Sequence, residues 1–260
     1  MIQKRSTHNL LNVLNLRLGH SIKTKHLPSA LARMYFYGMW LGRKLIWILC
    51  VTVAQSVHGQ KLAVLKYEGG GDWYANPTAL PNLARFCNES LSFDLDPKVD
   101  EVSFKSDEVF AYPFIHMTGH GNVVWSREEM ERIRKYLGGG GFLHIDDNYG
   151  MDRFVRPLIE QLYSDASLEP LGSSSFLFHY PFELNQGLPK VHAHDGQTPQ
   201  ALVLRRQGRI VLLYTFEADL GDGWEDEEVH GDAADIRLKA LQMGANILTY
   251  AFTGRTDVEQ

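Results

Sequence analysis

Residues 61–253 alternate between short β-rich runs and segments whose apolar residues recur at helical spacing. Strands that alternate with helices usually form a mostly parallel sheet with helices on both faces, so the pattern predicts an α/β fold. The predicted strands are residues 61–67, 100–104, 112–121, 141–146, 201–206 and 209–216. The predicted helices run from Asn76 or Thr78 to about Asn88, from Ser126 to Gly138, over 151–163, and over about 234–252.

Local signals mark several of these boundaries. Ser126 and Glu129 have the spacing of a capping box at the start of a helix. Gly138 is expected to end that helix in the left-handed conformation. The pair Gln207-Gly208 between two β-rich runs predicts a β-hairpin late in the chain. No internal repeat or linker interrupts the pattern, so the sequence predicts a single domain over residues 60–256.

The first 59 residues differ in composition from the rest of the chain. They hold eight Lys or Arg and no acidic residue, and the remainder carries 18 − 31 = −13 charges. Two basic residues followed by the ten apolar residues 45–54 predict a signal peptide over 39–59, with an uncleaved anchor as the alternative. Residues 1–38 are expected to lie upstream of the true start. The protein is therefore expected to be exported, periplasmic or membrane-associated, and to meet the membrane only through this segment.

Charge and cysteine content argue against nucleic-acid binding, an internal disulfide and a reactive thiol in the chain beyond residue 59. A net charge of −13 without a basic stripe opposes nucleic-acid binding, which needs clustered Lys and Arg against phosphates. Cys87 is the one cysteine beyond residue 59, so no internal disulfide can form there. Because Cys87 lies in an apolar helical stretch, we expect it to be buried and unreactive.

Three motifs follow predicted strands, and the sheet rule brings them together. They are GGGDWY after the first strand, TGHGN after the third and DDNYG after the fourth. In open α/β sheets, ligands bind beyond the carboxyl ends of the strands. The motifs are therefore predicted to meet at one edge of the sheet, and the acidic loop at 217–232 is expected to join them.

The same motifs carry a resemblance to a known family. YEGGGDWYANPTALPNL, MTGHGNVVWSREEMERIRKYLGGGGFLHIDD and DLGDGWED together resemble the bacterial domain-of-unknown-function family DUF4159 over about residues 61–253. That family is similar to the class I glutamine amidotransferase-like superfamily, which implies a flavodoxin-like α/β architecture. It implies no activity, because function belongs to a site and not to a fold.

The superfamily's amidotransferases hold a cysteine nucleophile at a strand-to-helix turn, where this chain has Asp146 and Asp147. The sequence therefore argues against cysteine-based glutamine hydrolysis. One interpretation gives Asp146, Asp147 and His120 catalytic roles, as ligands of a divalent metal or as a general base. The alternative for the aspartates is helix capping through backbone N–H groups.

His120 stands between two glycines, which suits a histidine presented in a cleft as a base or a ligand. The alternative is a turn histidine that bonds a backbone carbonyl. His116 and His144 occupy equivalent positions inside their strands and are expected to be core residues. His116 or Glu217 could also lie near the aspartates.

A second group of residues is predicted to bind a small ligand at this edge. Glycines leave room for the ligand, and polar or aromatic side chains line the pocket. The predicted ligand-binding residues are Gly70, Gly71, Asp72, Trp73, Tyr74, Thr118, Gly119, Gly121, Asn122 and Trp224.

The acidic loop only loosely resembles a calcium loop, through Asp219, Asp222 and Asp226, and is expected to be solvated. His192 and His194 form an H-x-H pair that could bind metal if both side chains shared a face, but no third ligand is evident.

Two hypotheses follow for the function. The first is an exported module that keeps an amidotransferase-like fold without its catalysis and binds a small ligand or an exported or membrane protein partner. The second is a metal-assisted hydrolase that uses Asp146, Asp147 and His120.

Overall fold

Seven strands form one sheet in the computed structural model, which describes residues 59–254. The strands are β1 (Gln60–Leu65), β2 (Leu95–Val102), β3 (Phe114–His120), β4 (Phe142–Tyr149), β5 (Glu169–Pro170), β6 (Gln200–Arg206) and β7 (Arg209–Phe216). Their order across the sheet is β2-β1-β3-β4-β7-β6-β5. Neighbours from β2 to β7 are parallel, whereas β6 and β5 are antiparallel additions. The prediction of an α/β fold with a mostly parallel sheet is confirmed.

Helices cover both faces of this sheet. They are α1 (Ala79–Leu91), α2 (Arg127–Gly138), α3 (Asp152–Glu160), α4 (Phe176–His179), α5 (Leu220–Trp224), α6 (Glu227–His230) and α7 (Ala234–Thr253), with a 3-10 helix at Asp107–Ala111. One apolar cluster joins the sheet to α1 and α7 through side chains such as Leu83 and Ile247. A second cluster joins the sheet to α2 and α3 through Ile133 and Ile159. The core is therefore split by the sheet into two layers.

The capping box that begins α2 is confirmed, but the predicted end of this helix is wrong. Ser126 Oγ accepts a hydrogen bond from Glu129 N at 3.2 Å, and Glu129 Oε2 accepts one from Ser126 N at 2.8 Å. Gly138 is still helical, and the positive φ of 107° occurs at Gly140. Each of the four consecutive glycines can adopt a positive φ, so the sequence alone could not show which of them ends the helix.

The late hairpin is confirmed. Strands β6 and β7 pair antiparallel, from Gln200 opposite Phe216 to Arg206 opposite Arg209. Gln207 and Gly208 both have positive φ, 52° and 75°, as a two-residue turn of type I′ requires.

Two strands differ from their predicted bounds for different reasons. Strand β2 was predicted over 100–104 but begins at Leu95. It is an edge strand, where Pro97 and charged residues are tolerated, so its apolar alternation is weak. Strand β4 continues to Tyr149, so Asp146 and Asp147 lie within the strand and not in a turn after it.

The predicted helix at 151–163 ends earlier than expected, since α3 ends at Glu160 with Pro157 inside it. The predicted upstream extension (1–38) and nearly all of the predicted signal peptide (39–59) lie outside the described residues. Of the residues that are described, none belongs to a helix both long enough and apolar enough to cross a bilayer.

We expect Ser126→Ala to lower the free energy of unfolding by about 1 kcal/mol, because it removes the acceptor that caps α2. Urea denaturation followed by circular dichroism measures this loss. Ser90→Ala is the matched control, since Ser90 is exposed inside α1, where alanine favours the helix. Equal midpoints for the Ser126 variant and the parent protein would contradict the capping role.

Candidate functional site

Four segments that are distant in sequence meet at the carboxyl edge of the sheet, as the motif positions predicted. Asn148 Nδ2 donates to Asn76 Oδ1 at 2.8 Å and to Asp222 Oδ1 at 3.0 Å. Thr118 Oγ1 donates to Asn148 Oδ1 at 2.6 Å. These four residues, which we call the rim cluster, come from the loop after β1, from β3, from β4 and from α5. Their bonds fix α5 against the ends of the parallel strands.

Asp146 anchors the segment that follows β7. Its side chain is fully buried, and its carboxylate accepts hydrogen bonds from Thr215 Oγ1 and, at 2.6 Å, from Gly221 N. Burial raises the pKa of Asp146 to about 7, although the bonds from Thr215 and Gly221 oppose this shift. The nearby carboxylate of Asp222 raises it further.

Asp147 points to the opposite face of the sheet, because neighbouring residues of a strand alternate. It accepts hydrogen bonds from Met151 N at 2.9 Å and from Asp152 N at 2.8 Å, and a third from the Tyr214 hydroxyl at 3.2 Å. Burial raises its pKa, whereas the bond from Met151 N lowers it. Asp147 therefore caps the start of α3, as the alternative interpretation of the sequence proposed.

His120 is paired with Asp72. His120 Nδ1 lies 3.0 Å from Asp72 Oδ2, and the backbone N–H of His120 donates to Asp72 Oδ1. The glycine before it is required for this approach: Gly119 has a φ of 137°, and a Cβ there would lie 2.4 Å from the Tyr67 hydroxyl oxygen. Both partners of the pair remain partly exposed.

The structure therefore places Asp146, Asp147 and His120 in three separate environments. Across residues 59–254, hydrogen bonds and ion pairs join none of these side chains to another. Catalytic roles for them stay predictions, but the arrangement is not that of ligands around one metal ion.

The two predicted ligand-binding loops contact each other. Gly71 N donates to Asn122 O at 3.1 Å. The Trp73 ring lies under Lys66 Nζ, 4.7 Å from the ring centroid, and Tyr74 packs edge-on against Trp73. Most of these positions flank Asp72 or His120 in sequence: Gly70, Gly71, Trp73 and Tyr74 after β1, and Thr118, Gly119, Gly121 and Asn122 around the end of β3.

Trp224 does not lie in a ligand crevice, in contrast to the prediction. It is fully buried, and its Nε1 donates to Ala240 O at 2.7 Å. Its ring packs 5.3 Å from the ring of His116 and 5.7 Å from that of His144. The error follows from the expectation of a solvated loop, since residues 220–224 instead form the buried helix α5.

His116 and His144 form a buried pair, as expected of core residues. Their Nδ1 atoms are 3.1 Å apart, and His144 Nε2 lies 3.0 Å from Thr215 Oγ1. Burial lowers the pKa of His116 to about 3 and that of His144 well below its ordinary value. Both rings are therefore neutral. The Thr215 hydroxyl group that contacts His144 also donates a hydrogen bond to Asp146.

His192 and His194 gather with carboxylates from the segment after β7. Donor atoms of His192, His194 and Asp219 all lie within 4.8 Å of one another, and so do those of His192, Asp222 and His230. His192 Nδ1 is 3.3 Å from Asp219 Oδ2 and 3.0 Å from Asp222 Oδ2. His194 Nε2 contacts Asp219 Oδ2. We call His192, His194, Asp219 and Asp222 the His–Asp cluster.

Asp219 is the most unusual member of this cluster. It is fully buried, its backbone is left-handed with a φ of 54°, and neither carboxylate oxygen takes part in a hydrogen bond with the described residues 59–254. Burial, followed by the negative charges of Asp146 and Asp222, raises its pKa to about 9. Asp219 is thus a buried carboxyl group whose charged form is costly in this environment.

The sequence identified the H-x-H pair but missed its partners. The two histidines lie in a loop and not on a strand. A hydrogen bond of 2.8 Å from Val191 N to Ala218 O connects this loop to the segment after β7. Asp219 and Asp222 were assigned to a solvated loop, and this is wrong because both are buried. One usable signal was that Asp219 closely follows β7, at the edge where ligands bind.

A cavity of about 340 Å³ opens beside His194 at the same edge. Its walls come from the end of β4, the start of α3, the loop after His194 and the end of β7. The lining residues are Asp147, Asn148, Tyr149, Gly150, Asp152, Arg153, His194, Asp195, Phe216 and Glu217.

Fold and site together define an α/β protein with a polar crevice at the carboxyl edge of a mostly parallel sheet. The family model described as "Domain of unknown function (DUF4159)" matches residues 61–252, and the chain belongs to this family. The curated proteins contain no match to the chain.

We expect the stability of the protein to depend on the ionisation of Asp146. Its pKa is about 7 in the folded protein and 3.8 in its ordinary state, so the folded chain binds a proton that the unfolded chain releases. This contribution to the free energy of unfolding is fully present below about pH 4 and is lost as the pH rises to about 7. Asp146→Asn should reduce the decline over this interval, measured by urea denaturation at several pH values.

The exposed Asp94→Asn is the control for this experiment and should keep the parental pH profile. An unchanged profile for Asp146→Asn would show that Asp146 is ionised in the folded protein throughout this interval.

Proposed function

We propose that this protein is an exported module that binds a small polyhydroxylated ligand, such as a sugar, in the cavity beside His194. The observation that carries this proposal is the position of the cavity at the carboxyl edge, where open α/β sheets bind ligands. The strand order 2-1-3-4 supports a flavodoxin-like, amidotransferase-like architecture. Export rests on the signal-peptide pattern at residues 39–59.

The walls of the cavity favour a ligand that is neutral and rich in hydrogen-bond donors. Four lining residues carry carboxylates and one carries a guanidinium group, so acceptors are abundant. Much of the negative charge is offset, because Lys190 pairs with Glu217 at 2.8 Å and Arg156 pairs with Asp152 at 2.6 Å. Hydroxyl groups satisfy such acceptors without introducing a charge.

Tyr149 gives the cavity an aromatic wall. Its ring packs against His194 with centroids 4.7 Å apart, and its hydroxyl donates to Asp195 Oδ1 at 3.1 Å. The residue is still 48% exposed, so part of the ring surface can contact a ligand. An aromatic ring held in place on one side is a suitable platform for the apolar face of a sugar.

The state of Cys87 supports binding over amidotransferase chemistry. Cys87 is fully buried in α1, and burial raises its pKa to about 12, so it is a poor nucleophile. It is the single cysteine among residues 59–254. The structural bonds of Asp146 and Asp147 likewise favour a binding module over the hydrolase that would use them with His120. An exported or membrane protein partner stays an alternative occupant of this edge.

We expect Tyr149→Ala to weaken ligand binding about tenfold, because the loss of ring contact removes about 1.4 kcal/mol. A thermal-shift screen of neutral sugars, amino acids and polyamines would identify the ligand, and isothermal titration calorimetry would measure its affinity. Phe110→Ala is the matched control, since Phe110 is 47% exposed, like Tyr149, and lies outside the cavity lining.

Neutral sugars should be the class that shifts the melting temperature, and mass spectrometry should recover the ligand unchanged after incubation. Conversion of the ligand would show that the protein is an enzyme. Binding that survives Tyr149→Ala would place the ligand elsewhere.

A further inference from the structure

We propose that the His–Asp cluster binds a divalent transition-metal ion of the Zn²⁺ type. The ligands are His192 Nδ1, His194 Nε2 and Asp219 Oδ2, and Asp222 Oδ2 lies 3.0 Å from the same nitrogen of His192. His194 also lines the proposed ligand cavity, whereas His192, Asp219 and Asp222 do not. The ion therefore needs no organic ligand in order to bind.

Asp219 provides the first argument, because its carboxylate is fully buried and accepts no hydrogen bond from residues 59–254. Buried carboxylates normally accept hydrogen bonds or pair with a cation. Both oxygens of Asp219 are buried without a hydrogen bond, although His194 Nε2 contacts one of them and His192 Nδ1 lies 3.3 Å from it. The donor atoms of His192, His194 and Asp219 therefore converge within 4.8 Å of one another, as ligand atoms do around an ion.

The spacing of the donor atoms provides the second argument. Zn–N and Zn–O bonds of about 2.0–2.1 Å in a tetrahedron separate neighbouring ligand atoms by about 3.3 Å. His192 Nδ1 lies 3.3 Å from Asp219 Oδ2 and 3.0 Å from Asp222 Oδ2. His194 Nε2 contacts Asp219 Oδ2 more closely than this, so the partly exposed His194 side chain would shift outward to accommodate the ion.

Groups behind the ligands provide the third argument. Metal-bound histidines usually donate their second ring N–H to a carboxylate, which fixes the tautomer. His192 Nε2 lies 3.2 Å from Asp232 Oδ1, so an N–H at Nε2 can donate to Asp232 and the lone pair of Nδ1 faces the cluster. Asp222 is oriented in the same way, because its Oδ1 accepts bonds from Asn76 and Asn148 while its Oδ2 faces His192.

Close packing brings the histidine loop to α5. A Cβ at Gly223 would lie 2.6 Å from Ala240 Cβ and 2.9 Å from Val191 Cγ2. Glycine at this position therefore allows the residue before His192 to pack directly on the helix that carries Asp222.

The donor set selects the class of metal. Imidazole nitrogen with carboxylate oxygen suits Zn²⁺ and other first-row transition metals, whereas Mg²⁺ and Ca²⁺ prefer oxygen ligands. His230 Nε2 lies 3.8 Å from Asp222 Oδ1, so it is available as a further ligand on the outer side.

The test is a titration of the chelator-stripped full chain with Zn²⁺ by isothermal titration calorimetry, with Co²⁺ absorption as a report on coordination. We expect one ion per chain. His194→Gln and Asp219→Asn should each weaken binding by on the order of 100-fold or more, and Asp232→Asn should weaken it about 10- to 100-fold. His179→Gln is the matched control, because His179 at the end of α4 pairs with Glu183 and its loss should leave the affinity unchanged.

Circular dichroism and melting of the metal-free proteins separate lost ligands from lost folding. Asp219→Asn replaces a buried carboxylate that accepts no hydrogen bond from the described residues, so the metal-free variant should melt no earlier than the parent protein while losing the shift that Zn²⁺ induces. Absence of Zn²⁺ binding, or equal binding by the parent and these variants, would overturn the proposal. Because the metal is titrated alone, that outcome leaves the sugar-binding proposal standing, and failure of the sugar screen leaves the metal site standing.

Discussion

The carboxyl edge of the sheet depends on the contact between Asp146 and the backbone of Gly221. The carboxylate accepts from Thr215 on β7 and from Gly221 on the next segment, so it joins the end of β4 to the start of α5. With Gly221 held in place, Asp219 and Asp222 are fixed on either side of it. A carboxylate suits this position because each of its oxygens can accept a separate donor.

The topology could be predicted from the sequence, whereas the direction of the side chains could not. Alternating apolar patterns and the rule for parallel sheets were sufficient to predict that loops after β1, β3, β4 and β7 meet at one edge. The strand end was misplaced, because β4 continues through Asn148 to Tyr149. Alternation within that strand sends Asp146 and Asp147 to opposite faces, so two adjacent residues that resemble a pair belong to separate networks.

The buried acidic segment shows why local composition misleads. Glycines and acidic residues usually indicate a solvated loop, but burial here depends on partners that are remote in sequence. Asn76 bonds Asp222, 146 residues away, and Thr78 bonds Glu225, 147 residues away. A local window contains none of these partners. The sequence therefore indicated the histidine pair, but the carboxylates that contact it were predicted to lie in a solvated loop.

An ion in the His–Asp cluster would also change which ligands the adjoining cavity accepts. Positive charge beside His194 repels ammonium groups but attracts hydroxyl oxygens, which can join its coordination shell. Since His194 belongs to both sites, binding of a polyol that contacts the ion must strengthen ion binding by the same factor that the ion strengthens polyol binding. An amine in the same cavity would weaken ion binding. Two sites that merely lie side by side would show neither effect, so the sign of this coupling distinguishes a shared centre from two independent ones.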